Sequence, residues 1–170
     1  FNKMHIPKDS IMGKPGEGFK KFLKTLVSGR ISIGALSLGT AIGAYEKALN
    51  YSCERKSFGK TINKFQSIAF KLADMATKIE SSKHLVYNAA WLQDQGFDVT
   101  KEAAMAKLQS SEAAMDIATE AIQIMGANGY VREGKVERYF RDAKILEIGE
   151  GTSEIQRIII SRKLIENYKS

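Results

Sequence analysis

The sequence predicts an all-α fold, an up-and-down four-helix-type bundle with an additional short C-terminal helix, and three observations carry that expectation. The only prolines among the 170 residues are Pro7 and Pro15, so the long remainder is free of the strongest helix breaker. Apolar residues recur there at steps of three and four, the period of a helix with one buried face. Glycines and small polar residues interrupt the periodic stretches where helix starts and stops are needed. With 44% hydrophobic and 26% charged residues the chain has globular proportions, which excludes disordered and low-complexity classes. A core at this length needs no covalent staple. The lone Cys53 agrees, since it has no internal disulfide partner and belongs to no Cys/His cluster; a reducing interior is expected.

Residues 1–18 read as a turn-rich lead-in, through His5-Ile6-Pro7 and Gly13-Lys14-Pro15-Gly16, and residues 19–170 as the bundle. The first helix is expected from about Phe19 to Arg55, with Phe22, Leu23, Leu26, Ile33, Leu36, Leu38, Ile42 and Leu49 as its apolar residues. That makes a rod of about 50 Å. Gly34, Gly39 and Gly43 are costly inside it, so a close approach is expected at each. The segment Lys56 to Ile62 reads as a loop containing Gly59. Asn63 and Gln66 then form a cap pair opening a second helix to Gly96, its face including Phe65, Ile68, Leu72, Met75, Ile79, Val86 and Trp91. Asp98 or Thr100 caps an Ala-rich third helix that ends near Met125, where Gly126-Ala127-Asn128-Gly129 supplies the stop. A shorter helix is expected around Lys135 to Lys144. The last opens after Gly149-Glu150-Gly151, with Ser153 and Gln156 at capping-box spacing and Ile155, Ile158, Ile159 and Ile165 facing the core.

The net charge of +7, from 26 Lys+Arg against 19 Asp+Glu, permits attraction to phosphates of any kind without choosing among them. The basic residues are dispersed, so a solvated surface is a better reading than a nucleic-acid face, and no nucleic-acid partner is expected. The longest uncharged stretch, Ile31 to Tyr45, is short for a bilayer, which takes about 20 apolar residues, and is diluted by Ser, Thr and Gly; no membrane span is expected. The chain begins at Phe1 without a secretory signal pattern, and the missing Met suggests a piece of a longer protein.

Several residues suit chemistry, each beside a plainer reading. Metal binding is not expected, because a di-iron bundle needs Glu-x-x-His pairs, whereas His84 follows Glu80 at i+4 and His5 lies in the lead-in. Gly16-Glu17-Gly18 has no strand before it and is no dinucleotide fingerprint. Glu150 is a carboxylate between two glycines just ahead of a helix N-terminus, which favours its ionised form; helix capping or a salt bridge explains such a Glu as well as catalysis does. Arg55, in a loop with Phe58 and Gly59, has the guanidinium fork that holds phosphate, or is an ordinary surface arginine. Gln123 to Gly129 offers backbone groups to a ligand, or is a plain helix stop.

Taken together, Arg55-Lys56-Ser57-Phe58-Gly59-Lys60, Gln66, Gln123-Ile124-Met125-Gly126-Ala127-Asn128-Gly129-Tyr130, Arg141-Asp142-Ala143-Lys144 and Glu150-Gly151-Thr152-Ser153-Glu154-Ile155-Gln156 strongly resemble the C-terminal half of the acyl-CoA dehydrogenase flavoprotein family. The likeness runs over nearly the whole chain. It implies an enzyme that removes hydrogens from the α and β carbons of an acyl-CoA to give the trans-2-enoyl-CoA, with FAD as hydride acceptor at flavin N5. Glu150 stands where the family places the base for the α-proton, and an ordinary glutamate, pKa about 4.3, is ionised at neutral pH. Hydrogen bonds to the thioester carbonyl then stabilise the developing enolate.

By the same resemblance Arg55, Phe58 and Gln66, together with Gln123, Ile124, Met125, Gly126 and Ala127, serve the FAD of a neighbouring subunit. Thr152, Ser153 and Glu154 serve the flavin beside their own base, while Arg30 and Gly151 belong to the acyl-CoA site. A homodimer or homotetramer, an electron-transfer flavoprotein as acceptor, and a bacterial cytoplasmic or mitochondrial matrix location are implied. Residues 1–18 match the exit from a middle β domain that precedes this region in the family, so the chain alone is expected to be inactive. Two departures stand out: Val27 occupies a position where many relatives carry an Asp that contacts CoA, and Gly149 one where a Tyr often precedes the base. Relatives with the base next to the arginine would need it at Gly29, which cannot serve, and this favours Glu150. An acyl-CoA oxidase type of flavoenzyme and a non-enzymatic helical assembly module are the competing readings.

Overall fold

The computed structural model describes residues 1–169. Three long helices dominate: α1 (Gly18–Glu54), α2 (Gln66–Asp94) and α3 (Thr100–Met125). They are followed by the single turn α4 (Ala127–Tyr130), α5 (Glu137–Ile148) and α6 (Ser153–Lys169). The loop expected between α1 and α2 is a small hairpin, β1 (Lys56–Ser57) paired antiparallel with β2 (Lys60–Thr61). Its two-residue turn, Phe58-Gly59, has φ of 50° and 81°, the twist that suits a tight hairpin.

α3 is the central element, touching α1, α2, α4, α5 and α6. Its buried residues are mostly alanine, and the seam with α1 sets Ala41, Ala44 and Ala48 against Ala113, Ala114, Ala118 and Ala121. Small side chains let two helix axes come to the short end of the usual 8–10 Å spacing. Leu72, Met75, Ile117 and Ile124 complete this core, while Ile31, Val86, Ala89, Val99, Ala103 and Ala106 form a second cluster. The apolar face expected of α1 is therefore corrected: Phe22, Leu23 and Leu36 are exposed. Ile155, Ile158 and Ile165 of α6 are exposed as well. Close packing between long helices selects for small residues, and a search for large apolar ones misses it.

The glycine expectations divide. A Cβ at Gly34 would meet Val86 and the Ala106 backbone, and one at Gly43 the Tyr139 ring, but Gly39 has nothing within 4 Å. α2 opens at Gln66 behind Phe65, after a turn of 3-10 helix at Ile62–Lys64. Asn63 does not cap it: its side chain accepts from the Thr61 hydroxyl and donates to Cys53 Sγ. Phe65 belongs to the hairpin side, edge-on to Phe58 at 6.3 Å. By length and composition α1 is also apolar enough to cross a bilayer, so the Gly, Ser and Thr dilution does not exclude that; in the fold its Ile31, Leu38, Ala41, Ala44 and Ala48 are buried against neighbouring helices.

Candidate active site and cofactor groove

The connection between α5 and α6 holds Glu150. α5 stops at Ile148; Gly149 is extended, Glu150 turns into the left-handed region at φ 56°, and Gly151 follows at φ 97°. For a residue with a side chain the left-handed turn costs about 1 kcal/mol, so something must hold it. Two buried side chains do. The amide of Gln156, fully buried in α6, donates to the carbonyls of Glu150 (3.2 Å) and Gly151 (2.8 Å). The Lys107 ammonium, fully buried in α3, donates to the carbonyl of Glu147 (2.9 Å) in the last turn of α5. Burial lowers the Lys107 pKa, and the carboxylates of Glu147 and Glu112 offset part of that.

The expected capping box is thus replaced. Gln156 turns back to two carbonyls, and Thr152 faces the first turn of α6, its hydroxyl 3.5 Å from the Ile155 N–H. Gly151 is needed twice over, because a Cβ there would lie 2.9 Å from Gln156 Nε2. Gly149 is not: a Cβ would meet only the Ile145 carbonyl at 3.4 Å, so a larger residue fits.

Glu150 is exposed, and its carboxylate lies over Gly29 of α1, so that a Cβ at Gly29 would stand 2.7 Å from Oε2. Beside it Arg30 is only 6% exposed, and its Nε has no partner. Burial lowers the Arg30 pKa, and the negative charge of Glu150 acts against that shift. Among the described residues Glu150 makes no ion pair, and capping of α6 falls to Thr152. The two plainer readings of Glu150 therefore lapse. Ser153 is buried without a partner for its hydroxyl, and Glu154, held below the usual carboxylate range by its own N–H and then by Thr152, is exposed.

At the other end of α1, Arg55 and Gln123, Ile124, Met125, Gly126 and Ala127 come together with Tyr51, Ser57, Ile62 and Asn128 around a groove of about 500 Å³. The Ile124 and Met125 side chains are buried in the core. The Arg55 guanidinium has no ion pair among the described residues, and with the Gln123 and Asn128 amides it fits a phosphate-bearing ligand. Phe58, 93% exposed on the hairpin tip, and Gln66 lie outside the groove lining. A neighbouring hollow of about 530 Å³ shares Gln123 and includes Arg141, which pairs with Glu137 at 2.7 Å. Val27 lines a third hollow with Lys24, Ser28 and Phe97. Arg30 lies in α1 and Arg55 directly follows its last residue, 25 positions on, or about 38 Å along the helix direction.

Residues 16–165 match the profile of the acyl-CoA dehydrogenase C-terminal domain. The chain belongs to the acyl-CoA dehydrogenase family. Among its acyl-CoA dehydrogenase relatives, the human mitochondrial short-chain specific enzyme is 52% identical over 170 residues, covering 100% of this chain and 41% of its own length. The butyryl-CoA dehydrogenase of Megasphaera elsdenii superposes at a TM-score of 0.93 with 46% identity, over 94% of this chain and 42% of its own. A chain in a structure of the electron transferring flavoprotein of Acidaminococcus fermentans gives 0.93 and 49%, over 94% and 42%. The chain thus spans about two fifths of the length of the relatives it matches.

Sequence reasoning missed Lys107 as a buried group, because a lysine reads as solvated. The signal was present: it falls among Ala103, Ala104, Ala106, Ser110 and Ser111, on the face that packs inward.

Proposed function

We propose that this chain is the C-terminal part of an FAD-dependent enzyme that converts short straight-chain acyl-CoA thioesters to trans-2-enoyl-CoA, with Glu150 as the base. The observation that carries the proposal is the unpaired Glu150 carboxylate over Gly29, beside the buried Arg30. Gly29 leaves the carboxylate open on the side where α1 would otherwise carry a side chain. One carboxylate oxygen takes the α-proton, the Cα–Cβ double bond forms from the electrons left behind, and the β-hydrogen departs with its pair. Bound FAD would supply the acceptor for that hydride at its flavin N5. The buried Arg30 guanidinium places a fixed positive charge beside that carboxylate. The short-chain and butyryl-CoA specificities of these relatives support a short substrate.

Arg55 and the main chain and amides of Gln123 to Ala127 would hold the phosphate and adenosine end of FAD, and Thr152, Ser153 and Glu154 the flavin end. Arg30 and Arg55 stand about 38 Å apart along the direction of α1. With the family resemblance, that separation supports a site that draws on two subunits, in a homodimer or homotetramer. Similarity to a chain in the Acidaminococcus structure supports an electron-transfer flavoprotein as acceptor. A mitochondrial matrix location in a eukaryote, or the cytoplasm of a bacterium, accords with these relatives. In the full-length enzyme Glu150→Gln abolishes α-proton abstraction while FAD and acyl-CoA still bind; unchanged turnover rules Glu150 out.

A further inference from the structure

Two buried polar side chains close on the Glu150 turn from different helices. Lys107 comes from the central helix α3 and holds the Glu147 carbonyl at 2.9 Å, three residues before Glu150. Gln156 comes from α6 and holds the carbonyls of Glu150 and Gly151. Neither side chain is exposed at all, and burying an ammonium in an alanine-lined face is unfavourable unless it satisfies something specific. What it satisfies is a carbonyl at the C-terminal end of α5, where the helix dipole favours a cation. Between these two anchors the chain must take the left-handed conformation at Glu150 that an unrestrained glutamate avoids.

Resting on the reading of Glu150 as the base, we infer that Lys107 and Gln156 are positioning residues, a buried bracket that fixes the Glu150 backbone so that its carboxylate stands over Gly29. Neither touches the reacting atoms. Their effect is to remove the freedom of the turn, so that the carboxylate is in place before substrate arrives. Gly149 and Gly151 give the connection no stiffness of its own, and the bracket supplies it.

The test uses the full-length, FAD-loaded oligomer and butyryl-CoA, with exchange of the α-hydrogen into D2O followed alongside turnover. Lys107→Met and Gln156→Met each lower kcat and α-exchange about 10- to 100-fold, the loss a displacement near 1 Å produces. FAD content and KM stay close to wild type. Because both hold one turn, the double variant loses less than the product of the single losses. Wild-type exchange in both single variants overturns the bracket, as does a fall that tracks lost FAD or raised KM. If Lys107→Met does not accumulate as folded protein, Gln156→Met alone decides. Glu150→Gln, run in parallel, separates the two ideas: if it retains exchange the base assignment fails, whereas if it is dead and the bracket variants are active, only the bracket fails.

Discussion

The Glu150 carboxylate occupies the space that a side chain at Gly29 would fill, with Oε2 2.7 Å from the Cβ position. Gly29 lies in α1 and Glu150 in the connection between α5 and α6, 121 positions apart in the chain, yet each determines what the other can be. Gly29→Ala is the smallest change that disturbs the pair. The clash falls on the far end of a flexible side chain, and alanine in a helix interior is favoured over glycine by about 0.5–1 kcal/mol. Thermal unfolding of the full-length protein is expected to show equal or higher stability, while its turnover falls about 10- to 100-fold. Unchanged turnover would mean that the position over Gly29 is not the reacting one.

A composite site makes a prediction about mixed oligomers. Arg55→Ala subunits retain Glu150, and Glu150→Gln subunits retain Arg55. If each site takes its base from one chain and its phosphate-binding arginine from the next, a hybrid contains an intact site although both pure variants are impaired. Co-expression with two affinity tags isolates the hybrid. Activity no greater than that of the parents argues that both residues serve a site within one chain.

The glycines of α1 should respond in opposite senses. Gly43→Ala pushes a methyl to within 2.9–3.1 Å of the Tyr139 ring and hydroxyl, overpacking worth about 1–3 kcal/mol of destabilisation. Gly39→Ala meets nothing within 4 Å and gains about 0.5–1 kcal/mol. Denaturant unfolding of the two variants side by side checks both signs.

Asp98 links stability to acid. Its carboxylate accepts from the Thr100 hydroxyl at 2.5 Å and the Thr100 N–H at 3.1 Å. Those hydrogen bonds, with Lys163 nearby, hold its pKa below the usual value. The folded state therefore binds the proton less well than the unfolded chain. The resulting stabilisation is complete above the ordinary carboxylate pKa of about 3.9 and disappears as pH falls through the depressed folded value. Asp98→Asn keeps an acceptor but removes the titration. The melting-temperature gap between wild type and variant is expected to be largest near neutrality and to close in acid.

The helix ends were legible because they rest on local chemistry. Gly126 stops α3 directly after Met125, and α6 opens at Ser153, just past the Gly149-Glu150-Gly151 break. Faces were less legible. Phe22, Leu36, Ile158 and Ile165 have helical spacing and remain exposed, whereas alanines that carry no strong apolar signal form the α1–α3 seam. The hairpin was invisible because strands of two residues are too short to show a period. In the site, Glu150 and Arg55 stood out by residue type and neighbours. The approach of Gly29 to Glu150, and the inward turn of Lys107 and Gln156, depend on contacts between distant segments that no local pattern encodes.

The alanine seam between α1 and α3 makes the bundle tolerant in one direction only. Its members have a single methyl to give up, so truncation opens almost no void, whereas any enlargement must wedge two rods apart along their length. Because Arg30 rides on one of those rods and Arg55 directly follows its last residue, a bulky replacement at Ala44 or Ala118 would tilt both halves of the proposed chemistry at once, from a place that touches neither.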